Sequence, residues 1–476
     1  MIAACLTRAE TYTPRSPRKS QYYRCVEANF EELERVWEDR YQNRYGYWRP
    51  YVMDVIYKYL DCGDLHQGFA RVKCDECHHE YLLPFSCKRR YFCPSCHQKR
   101  VVEFGEFLYN EVLKQVPHRQ WVFSIPKRLR PYFMYDRKLL PKLSRCAWKV
   151  LSCYLKQGVS NEEAMPGAVI AVQTFGDFLN FNPHLHIIAT DGCFIDDGNF
   201  MNGIVPNAAD LEIPFRCEVL EMLKCEGKIT NAVIDNMDSW NHSGFHVYCG
   251  NSLMPDDEEG LEKLAKYIVR APISQERMLY IPSVESIDGT AQVIYTGKNS
   301  RIDERFTALD WLARLVTHIP NRGEQLVRYY GYYSNKVRGV RKKAEDQQQK
   351  ADKDETSNTI PHLMESDISK KAFRKNWARL IKKVYNTDPL VCPKCNSVMR
   401  IVAFIEEEAV IEKILKHLNL WVPGHDPPEK DIVSPKAQYS NILNIDFDYV
   451  SGKMQQDSIS QLPYEDEYSQ EIPDVE

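Results

Sequence analysis

The sequence predicts a fold of the α+β class, in which helices accompany antiparallel strands. Two apolar segments, 168–175 and 184–189, have the length and composition of strands, and a short loop separates them. A short loop joins antiparallel neighbours, because parallel strands need a long crossover. Longer amphipathic segments, among them 139–155 and 256–270, predict helices around these strands.

The other elements follow from the same periodicities along the chain. Helices are predicted over 28–60 with a break near 47–50, and over 101–116, 139–155, 215–226, 256–270, 302–320 and 369–384. Strands are predicted over 120–126, 168–175 and 184–189. The last strand ends at Asp191-Gly192, a typical turn pair.

Six segments are predicted from shifts in composition. They are a flexible basic arm at 1–24, a helical hairpin with a cysteine-rich module at 25–105, a central domain at 115–335, a linker at 336–368, a basic helix with a single cysteine pair at 369–450, and an acidic tail at 451–476. The linker has few apolar residues, and the end of the tail has acidic residues but no Lys or Arg, which predicts disorder there.

Length and composition indicate a globular protein of several domains. The chain has 476 residues, of which 43% are hydrophobic and 27% charged, and its net charge is −4. This mixture supports sizeable cores, and the length suggests roughly two to four domains. Since the whole chain is not polycationic, any nucleic-acid surface must come from local clusters of basic residues.

The cysteine content predicts metal binding rather than disulfide bonds. The chain contains 16 cysteines, its first residues lack the apolar core of a signal peptide, and no apolar run is long enough to span a membrane. We therefore expect a reducing, intracellular location, where paired cysteines hold metals or act in catalysis.

Two cysteine pairs have the spacing of a structural zinc site. Cys74 and Cys77 form one C-x2-C pair, and Cys93 and Cys96 form a second pair fifteen residues later. Each pair turns tightly enough for both thiolates to face one ion, so two pairs close a tetrahedron. The sequence therefore predicts one structural Zn²⁺ bound by these four thiolates.

Further candidate ligands lie within the same segment. Cys87 stands between the two pairs, as either an additional thiol nearby or a replacement ligand, and His78, His79 and His97 are alternative ligands. A third pair, Cys392 with Cys395, has no partner pair after it, so it is either a relic or takes ligands from elsewhere in the chain.

A group of basic residues surrounds the second cysteine pair. This group predicts contact with the phosphates of a nucleic acid, although charged runs are often only solvated. Its members are Lys88, Arg89, Arg90, Lys99 and Arg100.

A His-x-His pair in the second strand predicts a divalent-metal site. His184 and His186 are two residues apart, and such residues point to the same face of a strand. Two imidazoles aimed at one point are half of a metal site, whereas the alternative is a solvated polar strand face. Gln173 or Asp177, near the end of the paired strand, supplies a third, oxygen ligand; the sequence leaves the register open and slightly favours Asp177.

The helix over 256–270 carries a tyrosine among basic residues. Tyr267 lies on the flank of the apolar stripe, and Lys263, Lys266 and Arg270 lie within one turn of it. Taken alone, a tyrosine in this position is more often a packing residue than a nucleophile.

Three stretches in a fixed order carry a resemblance to a known family. They are the two C-x2-C pairs with residues 86–89 between them, residues 173–177 running into 182–186, and residues 266–274. In this combination, together with 312–331 and the pair at 392–395, the sequence resembles the rolling-circle insertion-sequence transposases of the HUH (His-hydrophobe-His) superfamily that carry an N-terminal zinc-binding domain. The resemblance covers roughly residues 30–405.

The resemblance implies a replication-initiator-like α+β domain over 115–335. A central antiparallel sheet flanked by helices would carry the metal-binding histidines, and a neighbouring helix would carry a nucleophilic tyrosine. By match to the motifs, His184 and His186 take the metal role, Tyr267 is the nucleophile, and Arg270 is the candidate for a basic side chain near the phosphate. Many relatives have two tyrosines spaced Tyr-x3-Tyr, and Lys263 in the first place here indicates a single-tyrosine branch.

The implied activity is DNA transposition through a covalent 5′-phosphotyrosine, in which single-stranded DNA at element ends is nicked and rejoined. The implied cofactors are Mg²⁺ or Mn²⁺ at the catalytic site and structural Zn²⁺, and the implied partner is DNA as single strands or hairpin ends, with no membrane partner. The resemblance also implies a cytoplasmic, nucleoid-associated prokaryotic protein and leaves oligomeric assembly open. The alternatives are a non-catalytic zinc-dependent nucleic-acid-binding protein and a metallohydrolase that uses the histidine pair.

Overall fold

A computed structural model describes residues 17–159, 161–195, 198–297, 302–351, 379, 382–383 and 388–421. The first sixteen residues of the predicted arm, most of the predicted basic helix and the whole acidic tail lie outside these ranges. Within them, no helix combines the length and the apolar character needed to cross a membrane.

The helices have the following bounds in chain order. They are α1 Gln21–Arg35, α2 Trp37–Arg40, α3 Gln42–Tyr45, α4 Pro50–Leu60, α5 Pro94–Phe107, α6 Arg130–Tyr135, α7 Leu140–Lys156, α8 Ala209–Cys225, α9 Asn231–Asp238, α10 Glu258–Ile268, α11 Ala308–Val316, α12 Asn335–Ala351 and α13 Glu408–His417.

The strands form four antiparallel sheets. They are β1 Phe69–Cys74, β2 Glu80–Pro84, β3 His118–Ser124, β4 Gly167–Phe175, β5 Phe181–Thr190, β6 Gly192–Phe194, β7 Phe200–Asn202, β8 His246–Leu253, β9 Met278–Ile281, β10 Gln292–Thr296, β11 Asp303–Thr307, β12 Val327–Gly331 and β13 Met399–Ile405. The sheet orders are β12-β4-β5-β3-β8, β13-β1-β2, β11-β10-β9 and β6-β7.

The five-stranded sheet confirms the predicted α+β class and the predicted hairpin. β4 and β5 pair antiparallel, and the register places Gln173 opposite His184 and Ala171 opposite His186. Directly opposite residues in such a pair project from the same face. The histidines and Gln173 therefore share one face of the sheet.

The two faces of this sheet have separate cores, as the alternation along each strand requires. One face packs on α7 and α8 through Ala168, Ile170, Val172, Leu185, Ile187 and Ala189. The other face packs on α5 and α10 through Val169, Ala171 and Ile188. Since His184 and His186 alternate with Leu185 and Ile187, the two imidazoles project toward the layer that contains α10.

The N-terminal helices share a core with a later part of the chain. Tyr22 of α1 lies against Trp311 of α11, with ring centroids 5.9 Å apart, and both are fully buried. The buried thiols of Cys93 and Cys96 belong to the same core. The segment 25–105 is therefore packed onto 278–316 rather than set apart from it.

Three predicted boundaries are corrected by the structure. Helix α1 begins at Gln21, inside the predicted arm, because Ser20 accepts a hydrogen bond from the Tyr23 amide and caps it. The predicted helix 302–320 begins with strand β11, and Thr307 caps α11 by accepting from the Asp310 amide. The first part of the predicted linker forms α12, where the Arg341 guanidinium stacks on the Tyr332 ring at 3.7 Å.

Gly331 ends β12 where that strand closes on the start of β4. Its φ is +55°, and a Cβ there would overlap the carbonyl oxygen of Pro166 and lie 2.8 Å from the Trp148 ring. We expect Gly331→Ala to lower the free energy of unfolding by about 2 kcal/mol or more. Alanine is strained in the left-handed backbone conformation, and its methyl group would also overpack the space beside Pro166 and Trp148. Chemical denaturation measures the change.

Gly339→Ala is the matched control for this substitution. Gly339 lies in α12 with open space around its Cα, so alanine should leave stability unchanged or raise it by up to about 1 kcal/mol. Equal effects of the two substitutions would contradict the close approach at Gly331.

Candidate active site and cysteine clusters

The two histidines of β5 converge on one point. The Nε2 atoms of His184 and His186 are 3.1 Å apart, and the side chains are buried, with only 9% and 2% of the two residues exposed. The rings meet nearly edge to face. A solvated polar strand face would leave these side chains in water, so the burial argues against that alternative.

Hydrogen bonds at the far side of the rings orient both histidines. The Nδ1–H of His184 donates to the Asn182 carbonyl at 2.8 Å, so its Nε2 carries no proton in the neutral ring. The Nδ1 of His186 lies 3.4 Å from the side-chain amide of Gln120. Burial lowers the pKa of His184 to about 4, which keeps this ring neutral near pH 7.

The donor set fits one divalent cation. If two imidazole nitrogens each lie about 2.1 Å from one ion and the nitrogen–ion–nitrogen angle is a right angle, the nitrogens are roughly 3 Å apart. The Nε2 atoms of His184 and His186 are separated by 3.1 Å. Gln173, opposite His184, has a buried Oε1 without a hydrogen-bond partner in the described structure. A buried acceptor without a partner, beside two imidazole nitrogens that lie 3.1 Å apart, is an arrangement that a cation would satisfy.

Asp177, slightly favoured on sequence grounds as the oxygen ligand, does not reach the histidines. Its carboxylate is exposed and its Oδ1 accepts from the Phe178 amide. Among the described residues, only two cysteine clusters bring three or more His, Cys, Asp or Glu ligand atoms within 4.8 Å of one another. The strand ends before Asp177, so Gln173, rather than Asp177, lies opposite His184 in the sheet.

Helix α10 carries Tyr267 directly over the histidine pair. The Tyr267 ring centroid is 5.1 Å from that of His186 in an edge-to-face contact, and 9% of Tyr267 is exposed. Gln173 Nε2 donates to the carbonyls of Tyr267 and Ile268, at 3.2 and 3.0 Å, and so attaches the end of α10 to β4. Gln173 thus contacts the tyrosine helix through its nitrogen, while its Oε1 has no hydrogen-bond partner in the described structure.

Two arginines add positive charge to this site. The Arg270 guanidinium lies 4.8 Å from the Tyr267 ring centroid and 5.7 Å from that of Phe175. Arg270 and Arg130 each have a buried Nε without a hydrogen-bond partner in the described structure, and the charges of both lower the pKa of His184 in addition to burial. Both are suited to a phosphate, and sequence inspection missed Arg130 because α6 is distant in the chain.

The cysteines form two separate clusters, which corrects the predicted single zinc site. One cluster contains Cys62, Cys87, Cys93 and Cys96, and the other contains Cys74, Cys77, Cys392 and Cys395. The two predicted pairs therefore belong to different clusters, because Cys74–Cys77 lie at a turn of the β1–β2 sheet whereas Cys93–Cys96 begin α5. Cys87 is part of the first cluster. The third pair, Cys392 with Cys395, has Cys74 and Cys77 as its partners.

The first cluster connects through α5 to the tyrosine helix. Cys93 caps α5, and the buried His97 on that helix places its Nε2 2.8 Å from the carbonyl of Val269, directly after α10. His97 Nδ1 accepts from the Tyr91 amide, so both ring nitrogens are used and His97 is not a zinc ligand. Burial lowers the pKa of His97 to about 4, so the ring is neutral and donates from Nε2.

The five basic residues predicted to contact DNA lie beside the first cluster. Lys88 and Arg90 are exposed, whereas Arg89 pairs with Asp54 at 3.2 Å and Arg100 lies 3.8 Å from Glu103. Lys99 lies in the first turns of α5. These carboxylates neutralise part of the positive charge, so Lys88 and Arg90 are the most accessible of the group.

Comparison with known proteins gives two family matches, one in the N-terminal part of the chain and one in its central part. A transposase zinc-binding domain matches residues 32–125, which include the whole first cysteine cluster. A domain described as "putative transposase" matches residues 167–344, which include the histidine pair and Tyr267. The chain belongs to the rolling-circle insertion-sequence transposases with an N-terminal zinc-binding domain.

Two curated relatives agree with this assignment. The transposase for insertion sequence element IS801 of Pseudomonas savastanoi pv. phaseolicola is 24% identical over 380 residues, which are 75% of this chain and 85% of the relative. "Putative transposase y4qJ" of Sinorhizobium fredii is 23% identical over 287 residues, 56% of this chain and 70% of the relative. No solved structure matches the chain.

The assignment gives the two centres their general roles. As a transposase, the protein acts on DNA by cleavage and strand transfer, and its cysteine-rich module holds structural Zn²⁺. Cys62 was missed as a ligand because it stands alone, twelve residues before Cys74, without a C-x2-C partner. Gln120 was missed because it belongs to no recognisable motif, and His97, named as an alternative zinc ligand, instead hydrogen-bonds to the carbonyl of Val269.

Cys62 provides a specific test of the first cluster. We expect Cys62→Ser to lower the zinc content by one equivalent per chain and to lower the melting temperature, since structural zinc contributes on the order of 10 kcal/mol to small zinc-bound folds. Elemental analysis and calorimetry measure both effects.

Cys25→Ser is the control for Cys62→Ser. Cys25 is buried in the same core but lies outside both clusters, so its substitution should leave the zinc content unchanged. Unchanged zinc in Cys62→Ser would show that this thiol is not a ligand.

Proposed function

We propose that this transposase cleaves and rejoins single-stranded DNA through a covalent 5′-phosphotyrosine on Tyr267. The observation that carries the proposal is the contact between the Tyr267 ring and His186, whose Nε2 lies 3.1 Å from that of His184. A tyrosine packed on a buried pair of metal-type ligands has both a nucleophile and a means of stabilising phosphate charge in one place.

The metal proposal rests on three donors. His184 and His186 offer Nε2 lone pairs, and Gln173 offers the orphaned Oε1. Two nitrogens and an amide oxygen suit Mg²⁺ or Mn²⁺, with further positions left for phosphate and water. When bound there, such an ion supplies Lewis-acid polarisation of a non-bridging phosphate oxygen.

The residues of the chain carry out the covalent step. The phenol oxygen of Tyr267 attacks the phosphorus in line, so a bond from tyrosine oxygen to phosphorus forms while the bond from phosphorus to the 3′ oxygen breaks. The phenol proton leaves, and the departing strand ends in a 3′-OH. Arg270, over the tyrosine ring, supplies positive charge toward the phosphate.

Rejoining follows from the same arrangement. The phosphotyrosine retains the energy of the original phosphodiester, so the 3′-OH of another strand can attack it and restore free Tyr267. Because His184, His186 and Tyr267 are all buried, we propose that the substrate is single-stranded or a hairpin end that exposes its backbone. Lys88 and Arg90 are the exposed cations that we propose to hold the flanking phosphates.

We infer that the helix supplies a single nucleophile per subunit. The position four residues before Tyr267 is Lys263, whose ammonium pairs with Glu259 at 2.7 Å. An ammonium cannot form the second phosphotyrosine of a two-tyrosine relay. Each subunit therefore uses Tyr267 for successive cleavage and rejoining steps, or a second subunit contributes its own.

A denaturing gel with Mg²⁺ and labelled single-stranded DNA of the element ends tests the reaction class. The proposal predicts a covalent protein–DNA adduct. Binding without cleavage would identify a non-catalytic nucleic-acid-binding protein, and free cleaved ends without an adduct would identify a metallohydrolase.

The histidines should be essential for cleavage but not for binding. We expect His184→Ala and His186→Ala to reduce cleavage by roughly 100-fold or more, because each removes a metal ligand. DNA affinity should persist, since phosphate contacts elsewhere supply it. His242→Ala, at an exposed histidine, is the control. Cleavage at the wild-type rate in both single variants would exclude the metal site.

Tyr267→Phe separates chemistry from packing. Phenylalanine keeps the ring contact with His186 and removes only the oxygen, so the variant should fold and bind DNA but form no adduct. Tyr248→Phe, in β8 of the same sheet, should form the adduct normally. An adduct in Tyr267→Phe at the wild-type level would restrict Tyr267 to packing.

A further inference from the structure

The second cysteine cluster joins two parts of the chain that are far apart in sequence. The Sγ atoms of Cys74 and Cys395 are 3.5 Å apart, and those of Cys77 and Cys392 are also 3.5 Å apart. All four sulfurs lie within 4.8 Å of one another. We propose that these four thiolates form a second structural zinc site, which fastens residues 388–421 to the β1–β2 sheet.

The two halves of this cluster have the same backbone geometry. In one half, the Cys74 amide donates to the carbonyl of His79, and His78 has a φ of 58°. In the other half, the Cys392 amide donates to the carbonyl of Ser397, and Asn396 has a φ of 59°. The same hydrogen bond and the same left-handed residue occur at equal distances from the first cysteine. Each half is thus a tight turn that presents two thiols, and the turns face each other as the halves of a tetrahedral site do.

Strand pairing brings the two turns together. β13 pairs antiparallel with β1 in a register that places Met399 opposite Cys74 and Ile405 opposite Phe69. Arg400 pairs with Asp75 at 2.9 Å, and the Tyr81 hydroxyl donates to the Pro389 carbonyl at 2.7 Å. The cluster is therefore the end of a continuous sheet and not a chance approach of mobile thiols.

The cores on this sheet are small. One contains Ala70, Val72, Cys74, Cys392, Met399 and Ile401, and the other contains Phe69, Ile411 and Leu415. Small folds with cores of this size are commonly reinforced by a disulfide or a metal. Closing the chain between Cys74 and Cys395 also costs conformational entropy, which a metal bound by four thiolates offsets.

The first cluster does not compete for these ligands. Cys93 and Cys96 already face Cys62 and Cys87, with the Sγ atoms of Cys87 and Cys96 3.6 Å apart. The transposase zinc-binding domain matches only residues 32–125, so Cys392 and Cys395 lie outside it. The chain thus has ligands for two zinc ions, and those of the second come from segments 321 residues apart at Cys74 and Cys395.

Zinc content measured on the full-length protein tests this site. Elemental analysis of protein purified with a reductant should give two zinc ions per chain, and Cys392→Ser/Cys395→Ser should give one. Cys217→Ser/Cys225→Ser replaces two exposed thiols outside both clusters and should retain two. A single zinc in the wild type, or two in Cys392→Ser/Cys395→Ser, would overturn the proposal.

Alkylation of the wild type tests the same site without relying on a variant that folds. Cys77 and Cys395 are exposed, as is Cys153, which lies outside both clusters. If zinc is bound, maleimide should label Cys153 rapidly, and it should label Cys77 and Cys395 at least 10-fold more slowly until a chelator is added. Labelling of all three at the same rate, or disulfides among the four thiols, would overturn the proposal.

Discussion

The close approach of two buried imidazole nitrogens is the constraint on which the rest of the active site depends. His184 and His186 project from one face of β5 because they are two residues apart, and Asn182 fixes the proton of His184 on the opposite nitrogen. Burial disfavours a charged His184 ring, so its Nε2 faces the Nε2 of His186 across 3.1 Å as a neutral imidazole. Gln173 adds an oxygen from β4 and attaches α10 through its amide nitrogen. The two imidazoles, Gln173 and Tyr267 are therefore positioned by the same contacts.

The cysteine-rich module is structurally connected to this site. Cys93 begins α5, and His97, one turn later, holds the end of α10 by its hydrogen bond to Val269. The core around Cys93 and Cys96 also includes residues of α11 and of the β9–β11 sheet. Zinc in the first cluster thus stabilises the helix that packs against the tyrosine helix. The hydrogen bond from His97 to Val269 thus joins the zinc-binding domain directly to the transposase domain.

Local periodicity was sufficient to predict the parts of the site that lie within single elements. The alternation in β5 predicted that His184 and His186 share a face, and the short loop after β4 predicted the hairpin. The ligand choice between Gln173 and Asp177 depended on register, and an irregularity after Gln173 shifts the pairing so that the strand ends before Asp177. The spacing of the cysteines could not predict how they divide into two clusters. Cys392 and Cys395 reach Cys74 and Cys77 only through the pairing of β13 with β1.

The central claim is that Tyr267, on the histidine pair, is the residue that becomes attached to DNA. The most direct measurement is mass spectrometry of the protein–DNA adduct after digestion with protease and nuclease. The account predicts a nucleotide phosphate on the phenol oxygen of Tyr267, in the peptide derived from α10 and the residues that follow it. A nucleotide on Tyr248, Tyr280 or any other residue would contradict the assignment of the nucleophile.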